Sequence, residues 1–236
     1  MSFWQVTMKR STRLSKSYII IGIFLTIYGV VISNLMSIIP SLIPPDANTP
    51  APIDLANNFP LLSIALLSFS AVLFALPAIM LFVYDKNNGV LEYLLSTGLD
   101  QLDIFKGYVK ASLVLATYLL IFAIILNTAV GVLLGTSLTL LVSIPILTFA
   151  IGVSEVFLVS TCMIAFSSLQ KTPMGANQPL GVIVGVIPMF PALILPLLFP
   201  SYAIVFDLTI AAVTLLASLA LLLSTGRLIR REKLLP

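Results

Sequence analysis

Two acids stand within or at the edge of otherwise apolar runs of this 236-residue chain, Glu155 and Asp207. A carboxylate at mid-bilayer costs about 2.5–3.5 kcal/mol on insertion scales, so it must face protein or water rather than lipid. Glu155 lies near the middle of its run, with Ser154, Ser160 and Thr161 close by. It is the candidate for lining or gating a translocation path. The alternative is a carboxyl that is protonated, or hydrogen-bonded to those hydroxyls or to a neighbouring helix. Asp207 is either a second buried acid or, the reading preferred from sequence, the cap of the last span near the outer surface, since aspartate is a favoured N-cap. The chain has no His, which removes the commonest metal ligand and the commonest general base. The single Cys162 sits in an apolar run and is expected to pack as a small hydrophobe. No G-x-x-x-x-G-K-[ST] string, no H-E-x-x-H and no His/Cys cluster occurs, so neither a P-loop nor a metal site is expected. The serines have no His to activate them. The expectation is a protein without catalytic chemistry, cofactor or metal of its own.

The elements that would hold these residues follow from composition. The chain is 59% hydrophobic and 9% charged. So few charges cannot cover the surface of a soluble domain of this size, and an all-α integral membrane protein is expected. Residues 1–236 read as one transmembrane domain. Residues 1–17 suit a helix lying on the membrane surface, with Phe3, Trp4, Met8 and Leu14 on one side and Lys9, Arg10, Arg13 and Lys16 on the other; Val6 breaks the pattern. Spans are expected at 18–39, 61–83, 109–134, 138–169, 179–200 and 202–225, each about the 20 residues needed to cross the hydrocarbon. Residues 40–60 carry six prolines and are expected not to form a regular helix. Pro77 is expected to kink the second span, and residues 135–137 to make a tight outer turn. Pro188, Pro191, Pro196 and Pro200 leave two cuts open: two plain spans, or a re-entrant piece over 191–206 before the last one.

Residues 84–108 form the longest charged interruption. Val90, Leu91, Leu94 and Leu95 share one side of a helix, and Glu92 and Ser96 the other. Gly98 can end that helix and Asp100 can cap the next. A short helix with an apolar face at a membrane's edge either lies in the interface or docks on a partner.

The string D-K-x-x-G-x-L-E-x-L-L-S-T, followed by D-I-F-K-G, resembles the first cytoplasmic loop of type-2 ATP-binding-cassette (ABC) transporter permeases. The matching positions are Asp85, Lys86, Gly89, Leu91, Glu92, Leu94, Leu95, Ser96, Thr97, Ile104 and Gly107. Gly98 stands where that family often has Pro, and Lys106-Gly107 reverses its usual Gly-Lys order. The motif covers about a tenth of the chain. The resemblance implies an exporter subunit with six spans, a cytoplasmic coupling helix and a re-entrant element before the last span. It further implies a separate ATPase subunit that binds ATP and Mg, docked against Asp85, Gly89, Leu91, Glu92, Leu94, Leu95, Ser96 and Thr97. One six-span chain would be half of such a transporter, so a second permease copy or a similar permease is the expected partner.

Orientation agrees with that scheme. With six spans all twelve Lys and Arg fall on one side, which puts both termini, the 84–108 loop, a second polar loop at 170–178 and the 226–236 tail in the cytoplasm of a cell-membrane protein. The net charge of +3 then describes orientation in a membrane, not affinity for nucleic acid. Gly131 with Gly135 forms one G-x-x-x-G pair, and Gly181 with Gly185 forms another. Gly181 and Gly185 are the candidates for helix packing or a dimer contact. The apolar spans suit a lipid, a hydrophobic peptide or a drug-like molecule. Two rival functions use the same residues differently. A proton-coupled secondary carrier would use Glu155 as its relay, but would need an internal repeat, and none is evident. A membrane assembly factor would need neither an intramembrane acid nor broken outer helices.

Overall fold

The computed structural model describes residues 2–14, 16–42, 55–169, 191, 194–195, 198–199 and 202–228. The long elements among them are all helices: α1 (Phe3–Leu14), α2 (Lys16–Leu42), α3 (Leu55–Asn87), α4 (Val90–Ser96), α5 (Gln101–Leu133), α6 (Leu138–Leu169) and α7 (Ala203–Leu228). Five contain stretches long and apolar enough to cross a membrane: Lys16–Leu35, Ser63–Asn87, Gln101–Leu133, Leu138–Met163 and Ile204–Leu221. That set fits a multi-pass membrane protein. Most of the expected span at 179–200 lies outside the described residues, as do 192–193, 196–197 and 200–201 of the 191–206 piece, whose end from Ala203 on belongs to α7. Gly181 and Gly185, expected as a packing or dimer pair within the 179–200 span, lie outside the described residues too.

α3 is the central helix. Of its spanning stretch 72% is buried, against 22% for α7. α2 runs antiparallel to it, with the Thr26 and Ser70 hydroxyls 2.9 Å apart. Gly22 and Gly29 let the two backbones approach, since a Cβ there would press on Phe74 or Leu66. α5 and α6 form a hairpin across a turn in which Gly135 takes a φ of 72°. Gly152 on α6 leaves room there for Leu120 of α5. α6 lies parallel to α3, with Ile64 and Ile151 in one cluster, and α7 parallel to α6, with Ala211 among Ile144, Leu147 and Ile151. The largest cluster gathers at the end of the bundle that carries α4, around Phe82, Leu91, Phe105 and Tyr108.

Several boundaries differ from the sequence expectation. α3 continues through Pro77 and past residue 83 to Asn87, so Asp85 and Lys86 are helical rather than loop. α5 starts at Gln101, well before residue 109. The 84–108 stretch is therefore mostly helix, because polar residues extend the helices beyond the apolar core. Pro40 and Pro60 also lie inside helices, near the end of α2 and the start of α3. A proline close to a helix terminus removes few backbone hydrogen bonds, so its cost is small there.

Candidate functional site

The short helix α4 forms where its pattern places it. Gly89 at φ 70° turns the chain out of α3, and Gly98 at φ 89° turns it out of α4. A residue with a Cβ is strained in that left-handed region, so glycine suits both corners. Asp100 then caps α5, its carboxylate accepting from the Gln101 N–H at 2.8 Å. Leu91 is fully buried, and Leu94, Leu95 and Leu99 pack around the same cluster as Phe82 and Tyr108. Full burial of one leucine contributes about 1.5–3 kcal/mol. The apolar face thus rests on this chain's own α3 and α5. What α4 presents outward is Tyr93, Ser96, Thr97 and Gly98, with Glu92 half-buried. Tyr93 is 69% exposed and is the largest group on that surface.

Beside α4 lies a polar knot that no local pattern announces. Asp85, on the last turn of α3, is fully buried. Arg10 of α1 donates to both of its oxygens, at 3.0 and 2.7 Å, and the Tyr108 hydroxyl of α5 donates to it at 2.5 Å. Tyr108 is itself held edge-on between Phe3 and Phe82. A methyl at Gly107 would run into the Phe3 ring, so the missing side chain is what lets α1 sit down on α5. Met8 packs near Ala78, Ala111 and Leu115, and Lys110 lies 5.0 Å from the centre of the Trp4 ring. The α1 helix exists as expected, but Phe3 and Met8 pack on protein, and Arg10 points inward rather than joining Lys9 and Arg13 at the surface. The Leu14 side chain lies outside the described residues.

The second polar region runs between α3, α6 and α7. Ser154 accepts from Thr214 at 2.8 Å, which fixes the register of α6 against α7. Glu155, next in sequence, is fully buried, and among the described residues neither of its oxygens has a hydrogen-bond partner. Ser68 of α3 stands beside it, but the Ser68 hydroxyl donates to the Ala65 carbonyl at 3.0 Å. Ser160 and Thr161, expected as alternative partners, donate to Phe157 on their own helix. Asp207 does not cap α7: the helix starts at Ala203, and Asp207 faces inward, fully buried, with both oxygens unpartnered among the described residues. An aspartate ahead of an apolar run marks a helix start only if the helix does not begin earlier. At the end away from α4, Asn34 donates to Asn127 at 3.0 Å beside a cavity of about 10 Å³, room for one water at most. Gly131 lines the same cavity, close to Leu141 and Thr136 across the α5–α6 turn, and so packs within the chain, whereas Gly135 makes the turn with nothing close to its Cβ position. The second pair, Gly181 and Gly185, falls outside the described residues.

Among the described residues no group of His, Cys, Asp and Glu is placed to hold a metal ion. The lone Cys162 is buried. No family model, curated protein or solved structure matches this chain.

Proposed function

We propose that the chain is the permease subunit of an ATP-driven exporter resembling the type-2 ABC class, forming its translocation path as a dimer. A separate ATPase subunit binds ATP and Mg and contacts α4. Both termini face the cytoplasm, on the side where α4 lies. The observation that supports this reading best is the mounting of α4. A helix this short is not stable alone in water. Here it is clamped between glycine corners and seated by Leu91 on α3 and α5, with Tyr93, Ser96 and Thr97 left facing out. That is a rigid lever with a free outer face, which a contact for transmitting motion requires. The leucines belong to the seat, and the partner would read the outer face.

The test separates the two faces. Tyr93→Ala with Thr97→Ala should leave thermal unfolding of the purified permease unchanged and release the ATPase in co-purification, or uncouple its hydrolysis from transport. Leu91→Ala should lower stability by about 2–5 kcal/mol through the cavity it leaves. A fully coupled complex from the doubly substituted variant would remove α4 from the contact and the exporter reading with it. The carrier alternative draws on the unpartnered Glu155. It predicts transport driven by a proton gradient without any ATPase.

A further inference from the structure

α1 carries charge of one sign only: Lys9, Arg10 and Arg13, with no acid between Phe3 and Leu14. Arg10 is committed to Asp85. Lys9 and Arg13 are both exposed and stand four residues apart, on one side of the helix. Like charges at that spacing repel and weaken a helix. Lys16 at the start of α2 and Lys110 over the Trp4 ring are exposed as well. The acid in the first turn of α5, Asp103, lies about two turns beyond Lys110 toward α4, with Lys106 between them.

The contacts of α1 fix which way each of its sides faces. Phe3 meets Gly107 and Tyr108, and Arg10 meets Asp85, all on the edge toward α4. Trp4 and Met8 lie on the other edge, at Lys110 and beside Ala78, Ala111 and Leu115. α1 thus lies crosswise on α3 and α5, one edge toward α4 and one toward the apolar spans. Thr7 and Ser11 are buried beneath it. Lys9 and Arg13 are on the opposite side of the helix and project sideways from the bundle.

The depth of this belt follows from helix register. Gly22 of α2 faces Ser70 and Phe74 of α3, and Gly29 faces Leu66. Phe82 of α3 meets Tyr108 of α5, and Leu67 clusters with Ala123. Extended along these antiparallel pairs, Lys16 and Lys110 both fall level with Ile79 and Met80. From Lys110 to Asn127, which pairs with Asn34 at the other end, is about 26 Å at 1.5 Å per residue. That is close to the hydrocarbon thickness of a bilayer, about 30 Å. Further along the same helices the exposed side chains are apolar, Ile20 and Phe24 on α2, Tyr118 and Ile125 on α5. The basic belt therefore lies at the headgroup level, where Trp4 is also at home.

We propose that the outer side of α1, with Lys9 and Arg13 between Lys110 at one end and Lys16 at the other, binds the phosphates of anionic phospholipid headgroups. Two to four basic groups at one depth, spread along a helix lying across the bundle, match negative charge spread in a plane. The lipid phosphates relieve the repulsion between Lys9 and Arg13 and so favour α1 in its seat. Lipid binding of this kind needs no ATPase and no transport.

The experiment uses the purified full chain in phosphatidylcholine nanodiscs. Trp4 is the single tryptophan of the chain, so its fluorescence reports the belt without a label. Phosphatidylglycerol or phosphatidylcholine, brominated near the top of the acyl chains, is added as quencher at matched mole fraction. The glycerol lipid should reach half-maximal quenching at a mole fraction at least about tenfold lower, since each basic group near an anionic surface contributes about fivefold. Molar salt, with a screening length of about 3 Å, should remove the preference. Lys9→Gln with Arg13→Gln should lose most of it. Glycerophosphoglycerol, the same headgroup without chains, should not relieve the quenching at millimolar concentration. Equal quenching by the two lipids, a preference that survives salt, or a preference unchanged in the double variant would overturn the proposal. Relief by the chain-free headgroup would overturn it too, since the belt would then read a soluble phosphate. If the double variant does not fold, the comparison of the two lipids and its salt dependence on the unaltered chain still decide.

Discussion

Arg10 and Asp85 are joined by two hydrogen bonds across 75 residues of chain, and they tie the first helix to the end of the central one. The arginine remains partly open, its side chain 39% exposed, while the aspartate is fully enclosed. Removing the arginine therefore strands a buried charge. Arg10→Leu should destabilise the protein by about 1.5–3 kcal/mol, the range for a hydrogen-bonded charge. Asp85→Asn on top of it should recover part of that loss, because no charge is then left without its partner. Thermal unfolding in detergent of the two single variants and the double variant measures the coupling. Strict additivity would mean the pair contributes nothing.

Gly107 and Phe3 form a second tie between α1 and α5, next to the first because Phe3 also packs on Tyr108. Gly107→Val should lift α1 off the bundle, because the new side chain occupies the place of the Phe3 ring. The readout is trypsin cleavage within α1, at Arg10 or Arg13, which should become faster. Combining Gly107→Val with Phe3→Ala should slow the cleavage again relative to Gly107→Val alone. A valine variant cleaved no faster than the unaltered protein would mean that α1 accommodates the extra volume.

The two ends of the α5–α6 hairpin should lie on opposite sides of the membrane. Asn88 is exposed at the α4 end, and Ser137 is exposed in the turn at the other. With the native Cys162 buried, single cysteines at these positions report topology against a low background. Asn88→Cys should react with an impermeant maleimide only from the cytoplasm, and Ser137→Cys only from outside. The opposite pattern would invert the orientation drawn from the Lys and Arg distribution.

What the sequence reveals and what it hides divide along one line. α4, the glycine corners at Gly98 and Gly135 and the Asp100 cap are legible, because each depends on residues within one or two turns of each other. The helical nature of the long apolar runs is legible for the same reason, in composition and length. The Arg10–Asp85–Tyr108 knot is not, since nothing in local spacing pairs residues on three different helices. Arg10 shares the basic side of a helical wheel with Lys9 and Arg13, and only tertiary packing turns it inward. The side on which the α4 leucines are buried is equally hidden, because an apolar stripe does not say whether its cover is the same chain or another. The N-terminal boundary of α5 escapes a reading by hydropathy because Gln101–Lys110 keeps helical geometry while losing apolar character.

The knot at Asp85 also sets an order of assembly. Arg10 leaves the ribosome long before its partner exists, and Tyr108 comes later still. At about 5–20 residues per second, the wait for Asp85 is roughly 4–15 s. During that time the first helix has no seat, and its arginine is solvated. The seat is complete only when the central helix and the first turns of α5 have both been made and brought together. Docking of α1 is thus a late step of biogenesis, closing over a half-built bundle only once the residues beneath it are in place.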